Sequence, residues 1–313
     1  VVAASDAGTI GCALIDDGTV ACWQTAANAN AHGALGNGTL ETDGALLKAT
    51  TVVTGPAAPL EHVTQFAQAS SDGAGGICAI TDAHELYCWG ALDWLVNGGK
   101  GLNSPYAQPI TLDGLETMTG VKQAAIAFGG GCALRDGDDG NEVWCWGAGR
   151  NAQLPDSKDS QYPVRILGLT NPTEVAADGT FVYDYVPIHT YCAIDDGNVR
   201  CWGSMAHGEG GDDDAPNATS TPSLVKIGNG TELSGVTALT GAGNAGITSG
   251  SGNFCALRGS ALWCWGAQFG RHASNYGATN VTMLGDARGP TFLTNDEVLH
   301  VGSTLVTPNC GKL

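Results

Sequence analysis

Ten of the eleven cysteines fall into five close pairs: Cys12/Cys22, Cys78/Cys88, Cys132/Cys145, Cys192/Cys201 and Cys255/Cys264, with Cys310 left over. Such a pair could be a metal clip, a redox site or a covalent staple. Zinc sites usually take two cysteines from a knuckle two to four residues long. No C-x-x-C occurs here, and His189 is the only histidine beside the first cysteine of a pair.

Carboxylates offer a second chemistry. Asp16-Asp17, the run RDGDDGNE at 135–142 and Asp195-Asp196 all lie between paired cysteines. Asp136, Asp138, Asp139 and Glu142 are the best Ca2+ candidates, through carboxylate and carbonyl oxygens. Their spacing does not follow D-x-D-x-D-G, however, and Asp-Gly is also what a tight hairpin turn needs for its backbone angles. Asp212-Asp213-Asp214, in a Gly-rich stretch, is the next candidate and reads better as a solvated loop. No other cofactor is indicated.

The seven histidines (His32, His62, His84, His189, His207, His272 and His300) are scattered. None lies in HExxH, and there is no GxSxG. The Gly-rich stretch 241–253 lacks the Lys-Ser/Thr of a phosphate loop. No enzymatic machinery is therefore expected. Asn-x-Ser/Thr sequons begin at Asn37, Asn217, Asn229 and Asn280 and bear on the protein only where the source glycosylates.

The elements that must position the cysteines come into view when the pairs are aligned. The segments GCALIDDGTVACWQ, ICAITDAHELYCWG, GCALRDGDDGNEVWCWG, YCAIDDGNVRCWG and FCALRGSALWCWG are five copies of one pattern, their first cysteines 54 to 66 residues apart. That period belongs to a supersecondary unit such as a propeller blade. Each segment reads as a β-hairpin. Side chains alternate along a strand, so Cys12 and Leu14 share a face, as do Val20 and Cys22. If Leu14 opposes Val20, then Cys12 opposes Cys22. The same arithmetic pairs Ile80 with Leu86, Leu134 with Val143, Ile194 with Val199 and Leu257 with Leu262, and places each cysteine opposite its mate. For Cys132 and Cys145 the longer loop must absorb the extra residues. Cysteines held opposite one another this closely form cross-strand disulfides, each contributing about 2–3 kcal/mol for such short loops. Five disulfides imply an oxidising compartment: extracellular, cell-surface or periplasmic.

The opposite face carries Ala13, Ala79, Ala133, Ala193 and Ala256 together with Trp23, Trp89, Trp146, Trp202 and Trp265. A small residue beside a large one lets neighbouring sheets interlock, so these tryptophans are read as inter-sheet packing rather than as an aromatic binding stripe.

Composition agrees. The 313 residues include 47 glycines and only 14% charged residues, which suits many short strands joined by tight turns. The net charge of −18 makes nucleic acid and anionic membrane poor partners. No run of 18 apolar residues is present, so no transmembrane helix is expected. The opening Val1-Val2-Ala3 fits a processed, mature chain.

The repeat resembles the regulator of chromosome condensation family of β-propellers, in particular its secreted bacterial members with their His-Thr-Cys-Ala-Leu, Asp-Gly, Val-x-Cys-Trp-Gly unit. HTYCAIDDGNVRCWG at 189–203 is similar throughout, with Tyr191 inserted. The third copy continues through Asn151, Gln153, Leu154, Pro163 and Val164, where the family has Asn-x-x-Gly-Gln-Leu-Gly and Pro-x-x-Val. The resemblance implies an all-β fold: one β-propeller domain over 1–313. Its units would be about 1–66, 67–120, 121–179, 180–243, 244–298 and a partial 299–313. That makes five full repeats plus a partial sixth, hence five or six blades rather than the family's usual seven. In this division Cys310 begins a sixth unit without a hairpin partner, either unpaired or linked to another molecule.

Function is expected to lie in binding. The long segments after Trp-Gly (24–50, 91–108 and 204–222) are candidate contact loops on one face of a propeller, for another protein or for copies of this chain. An inhibitor of an extracellular enzyme is an alternative, the family including a propeller that caps a β-lactamase; Trp94, Tyr106 and Tyr185 would be its rim. A carbohydrate-binding module is another. The family's nucleotide-exchange role at chromatin sits badly with the acidic charge and the disulfides.

Overall fold

The computed structural model describes residues 3–6, 10–24, 29–40, 48–69, 76–91, 103–127, 129–182, 186–241, 252–278, 280–285, 291–294, 299–301 and 304–306. Among these residues six sheets follow one another along the chain as the blades of a β-propeller, each with four antiparallel strands and the third with a fifth added in parallel. The first is Ala3–Asp6, Ile10–Leu14, Val20–Gln24 and Thr50–Thr51. The second is Val63–Phe66, Gly76–Thr81, Leu86–Ala91 and Asn103–Pro109. The third is Val121–Ala127, Gly130–Gly137, Gly140–Gly147 and Ser160–Arg165, with Gln68–Ala69 added in parallel. The fourth is Pro172–Val182, Val186–Asp195, Asn198–Ser204 and Ala218–Leu224. The fifth is Val236–Gly241, Asn253–Arg258, Ala261–Gly266 and Gly270–Asn275.

The sixth blade is Val281–Gly285, Thr291–Thr294, Leu299–Val301 and Thr304–Val306. Its first two strands come from residues that the repeat spacing assigned to the fifth unit. The sixth sheet thus has four strands before Cys310 is reached. No cysteine lies in its hairpin, so the cysteine spacing marks this blade only as the partial unit 299–313.

The central hairpin of blades one to five has the register the sequence arithmetic required. Leu14 faces Val20 and Cys12 faces Cys22. Ile80 faces Leu86, Leu134 faces Val143, Ile194 faces Val199 and Leu257 faces Leu262, with the cysteines opposed two residues further along. All five pairs are disulfide-bonded: Cys12–Cys22, Cys78–Cys88, Cys132–Cys145, Cys192–Cys201 and Cys255–Cys264. Their Cα–Cα distances of 4.0 to 4.2 Å are the close approach of non-hydrogen-bonded positions in an antiparallel ladder. In the third hairpin the extra residues extend the ladder through Asp136/Asn141 and Gly137/Gly140.

The glycine of Trp-Gly has a backbone reason. In blades two to five the ladder to the outer strand slips at this point, and Gly90, Gly147, Gly203 and Gly266 take φ of 93° to 113°. A bulge in that region of backbone space favours glycine.

The first five blades interlock by one rule: the disulfide face of a blade packs on the tryptophan face of the next. Cys12 and Cys22 lie with Trp89, Cys78 and Cys88 with Trp146, Cys132 and Cys145 with Trp202, and Cys192 and Cys201 with Trp265. The fifth disulfide departs from the rule. No tryptophan occurs in the sixth blade, so Cys255 and Cys264 are buried with Leu257, Leu262 and the aliphatic Val281 instead. Trp89, Trp146, Trp202 and Trp265 are at most 1% exposed, whereas Trp23 of the first blade is only half-buried. Opposite the indole across the hairpin stands Gly11 in blade one and Gly131 in blade three, where a Cβ would come within 2.6 Å and 2.8 Å of the ring. Tyr191 and Phe254 stand there in blades four and five, stacking on Trp202 and Trp265 at 5.9 Å and 5.8 Å. In blade two the residue opposite Trp89 is Ile77, so the position takes a small, an aliphatic or an aromatic side chain.

Candidate functional site

The longest central hairpin also builds the candidate site. Two ladder pairs more than in blades four and five, Asp136/Asn141 and Gly137/Gly140, carry the third hairpin beyond the apolar core, and a surface cleft of about 580 Å³ opens between it and the connection at 119–120. Arg135, Asp136, Glu142, Trp144 and Arg165 supply its side-chain chemistry. Arg135 opposes Glu142 and Trp144 opposes Arg165 across neighbouring strands, so these four side chains leave from one face.

The cleft is held by its own bonds. The Glu142 carboxylate accepts a hydrogen bond from Trp144 Nε1 at 2.8 Å and pairs with Arg165 at 3.0 Å. Lys122 Nζ lies 2.6 Å from Asp136 and donates to Asn141 Oδ1. Asn141 in turn donates to the Pro172 carbonyl, tying the hairpin to blade four. The result is a rigid surface of mixed charge around a partly buried indole. It can recognise charged and hydrogen-bonding groups, but it assembles no nucleophile with an adjacent base.

The carboxylates proposed for Ca2+ are dispersed in this arrangement. Asp136 and Glu142 leave opposite faces of the ladder, each paired with a cation, while Asp138 and Asp139 stand exposed near the tip. Among the described residues no three metal-ligating side chains converge. The paired cysteines, from Cys12–Cys22 through Cys255–Cys264, are all committed to disulfides and offer no thiolate to a metal. The first acidic turn is closed by Asp17, whose Oδ1 accepts from the amide and hydroxyl of Thr19; these bonds hold its carboxyl below the usual range. Asp212 and Asp213 pair with Lys226 and His272.

His189 is buried, edge-on to Tyr191 at 5.0 Å. Of the proposed rim, Tyr106 packs beside Gly38. Trp94, Tyr185 and Cys310 lie outside the described residues.

Three further acids, Asp195, Glu174 and Glu209, are covered by the fold. Asp195 is buried, its Oδ1 accepting from the amides of Thr170 and Asn171 while its Oδ2 meets Arg200 at 3.1 Å. Burial pushes the Glu174 carboxyl up to about 7, against the opposing effect of the Leu239 amide of the next blade. Glu209 is 1% exposed and likewise raised by burial, against the opposing effect of its hydrogen bonds and of His207. A signal for the last two existed in the sequence. Glu174 holds the place in blade four that Gln123 holds in blade three, and Glu209 the place of Gln153.

No protein-family model matches this chain. An alignment 183 positions long, covering 54% of the chain, is 28% identical to the human E3 ubiquitin-protein ligase HERC2, and the mouse protein matches equally. That match spans 3% of the ligase's length. Among solved structures, human WBSCR16 aligns with a TM-score of 0.64 and 16% identity over 93% of this chain and 73% of its own. Prp20p from Saccharomyces cerevisiae, described with its binding to Gsp1p and histones, aligns at 0.64 and 16% over 91% of this chain and 66% of its own. Yeast RCC1 (Prp20) in its complex with Kap60 aligns at 0.61 and 14%, over 93% and 67%. These likenesses establish a propeller fold of the RCC1 type; they do not assign its partners to this chain.

Proposed function

We propose that this chain is a non-enzymatic propeller, secreted or at the cell surface, that works by binding another protein or further copies of itself. The observation that carries the reading is the disulfide in the central hairpin of five of the six blades. Such bonds persist where the surroundings are oxidising and are rare in the cytosol or nucleus. The cleft at the third hairpin supports the binding half of the proposal. Its charged groups are positioned in advance, which lowers the ordering cost of docking a partner. The net charge of −18 disfavours a chromatin-like partner. The test is light scattering and chemical cross-linking of the oxidised protein from its native source, followed by the R165E variant. A larger assembly weakened by R165E is expected. A monomer with no cross-linked neighbour would overturn the reading.

A carbohydrate-binding role is the second reading, favoured by Trp144 lying among Arg135, Arg165 and Glu142. Glycan-array binding lost in R165A would support it over a protein partner.

A further inference from the structure

We propose that the cleft at the third hairpin docks a partner segment that sets one acidic side chain against Arg135 and a basic one beside it, against Asp138 and Asp139. This deepens the protein-binding reading above and rests on it. Most charges of the cleft are already paired. Glu142 is committed twice, to Trp144 Nε1 at 2.8 Å and to Arg165 at 3.0 Å. Asp136 is committed to Lys122 at 2.6 Å. Arg135 is different. Among the described residues it has no ion pair, and its Nε is shut off from solvent without a hydrogen-bond acceptor. Its guanidinium lies over the indole of Trp144, 5.6 Å from the ring centroid. A donor stripped of water and given no acceptor is a cost to the folded state. A carboxylate laid against the guanidinium answers that charge with charge-assisted hydrogen bonds, the strong class.

The fifth blade shows that the cation–indole contact alone does not make a site. Arg258 stands over Trp263 at 5.7 Å in the same way. Yet Ala261 opposes Arg258 there, and Asn275 opposes Trp263. In the third blade those two places are Glu142 and Arg165, whose ion pair lines the cleft and whose acid anchors the indole. The longer ladder then carries Asp138 and Asp139 out to the hairpin tip. Both are exposed and, among the described residues, neither has an ion pair. The cleft thus offers one uncommitted cation in its wall and negative charge at its edge.

That arrangement selects among ligands. A run of acids meets Asp138, Asp139 and the chain's net charge of −18. A neutral sugar leaves Arg135 without a counter-charge, and the carboxylates it would need as hydroxyl acceptors, Asp136 and Glu142, are already taken. A single acid flanked by bases satisfies both signs, which is within the reach of a protein segment. Trp144 and Glu142 are fixed before the partner arrives, so docking orders little on this side.

The test is a titration of the oxidised protein with blocked peptides, followed by nitrogen-edited NMR at the Trp144 indole and Arg135 Nε resonances. The probes are acetyl-Gly-Lys-Glu-Lys-Gly-amide, its Gln-for-Glu analogue and acetyl-Gly-Glu-Glu-Glu-Gly-amide. The first should bind about tenfold more tightly than either of the others, the size of one charge-assisted contact. R135Q should remove that preference, whereas R258Q, which breaks the matching contact in blade five, should leave it. D138N/D139N should erase the advantage over the all-glutamate peptide. Equal binding of the Gln analogue would mean that basic residues are merely drawn to an acidic protein, and would overturn the proposal. So would a preference that survives R135Q. Glucuronic acid saturating the same resonances at a lower concentration than the peptide would overturn it in favour of the carbohydrate reading. No shift with any peptide also overturns it, while an assembly seen by light scattering keeps the broader protein-binding reading standing. The three-peptide comparison uses wild type alone, so it decides the matter even where R135Q fails to fold.

Discussion

The guanidinium carbon of Arg135 stands 5.6 Å from the ring centroid of Trp144, and two blades later Arg258 stands 5.7 Å from that of Trp263. In the fourth blade the same two positions of the hairpin are Asp195 and Arg200, paired at 3.1 Å. One diagonal contact recurs in three blades with two chemistries, cation–π and ion pair, which marks it as a brace across the hairpin. We expect R258A to cost about 0.5–1 kcal/mol through loss of the cation–π contact, the usual value at partly exposed sites. A double-mutant cycle with W263L, followed by urea unfolding, isolates the pairwise part; a coupling of zero would remove the brace.

The buried Asp195 holds more than its hairpin, since two backbone amides of the connection at 170–171 point at it. D195A should cost about 3–5 kcal/mol, because it strands both amides and leaves Arg200 unpaired. D195N keeps an acceptor oxygen and should lose less. Thermal denaturation of the two variants, with exchange at the Thr170 and Asn171 amides, decides whether the acid is a tie or merely part of a turn.

The tryptophans are not equivalent. W146A and W265A each remove a fully buried indole from a seam and should cost about 3–5 kcal/mol. W23A, on a half-buried ring, should cost less than half as much. Equal losses in denaturant titrations would contradict the difference in burial.

Removing one staple should destabilise without unmaking the fold. C192A/C201A opens a loop of sequence separation 9, so about 2–3 kcal/mol is expected. The hairpin keeps its Ile194/Val199 pair and its packing on blade five. Far-ultraviolet circular dichroism should be unchanged while the urea midpoint falls. Loss of the folded state would mean that the staple, rather than the seam, specifies the hairpin.

What the amino-acid sequence determined by itself was everything with a short period. Alternation along a strand has a period of two, so one apolar pair, Leu14 with Val20 or Ile194 with Val199, sets the register of a whole hairpin and with it the cysteine mates. Repetition in five copies then raised a local pattern to a fold. The sixth blade showed only as a partial unit because its hairpin carries neither the cysteines nor the Trp-Gly of the other copies.

Tertiary structure decided what crosses from blade to blade. That Trp146 seals the disulfide of the second blade, that Val281 stands by Cys264 where an indole would be expected, that Asp195 gathers amides from 170–171, and that Glu209 reaches into blade five all depend on contacts outside the hairpin. A side chain's type does not name its long-range neighbour. An aspartate before Asp-Gly looks like a turn residue until the fold brings two orphan amides to it. A glutamate in a glutamine's place looks like surface charge until the next blade covers it.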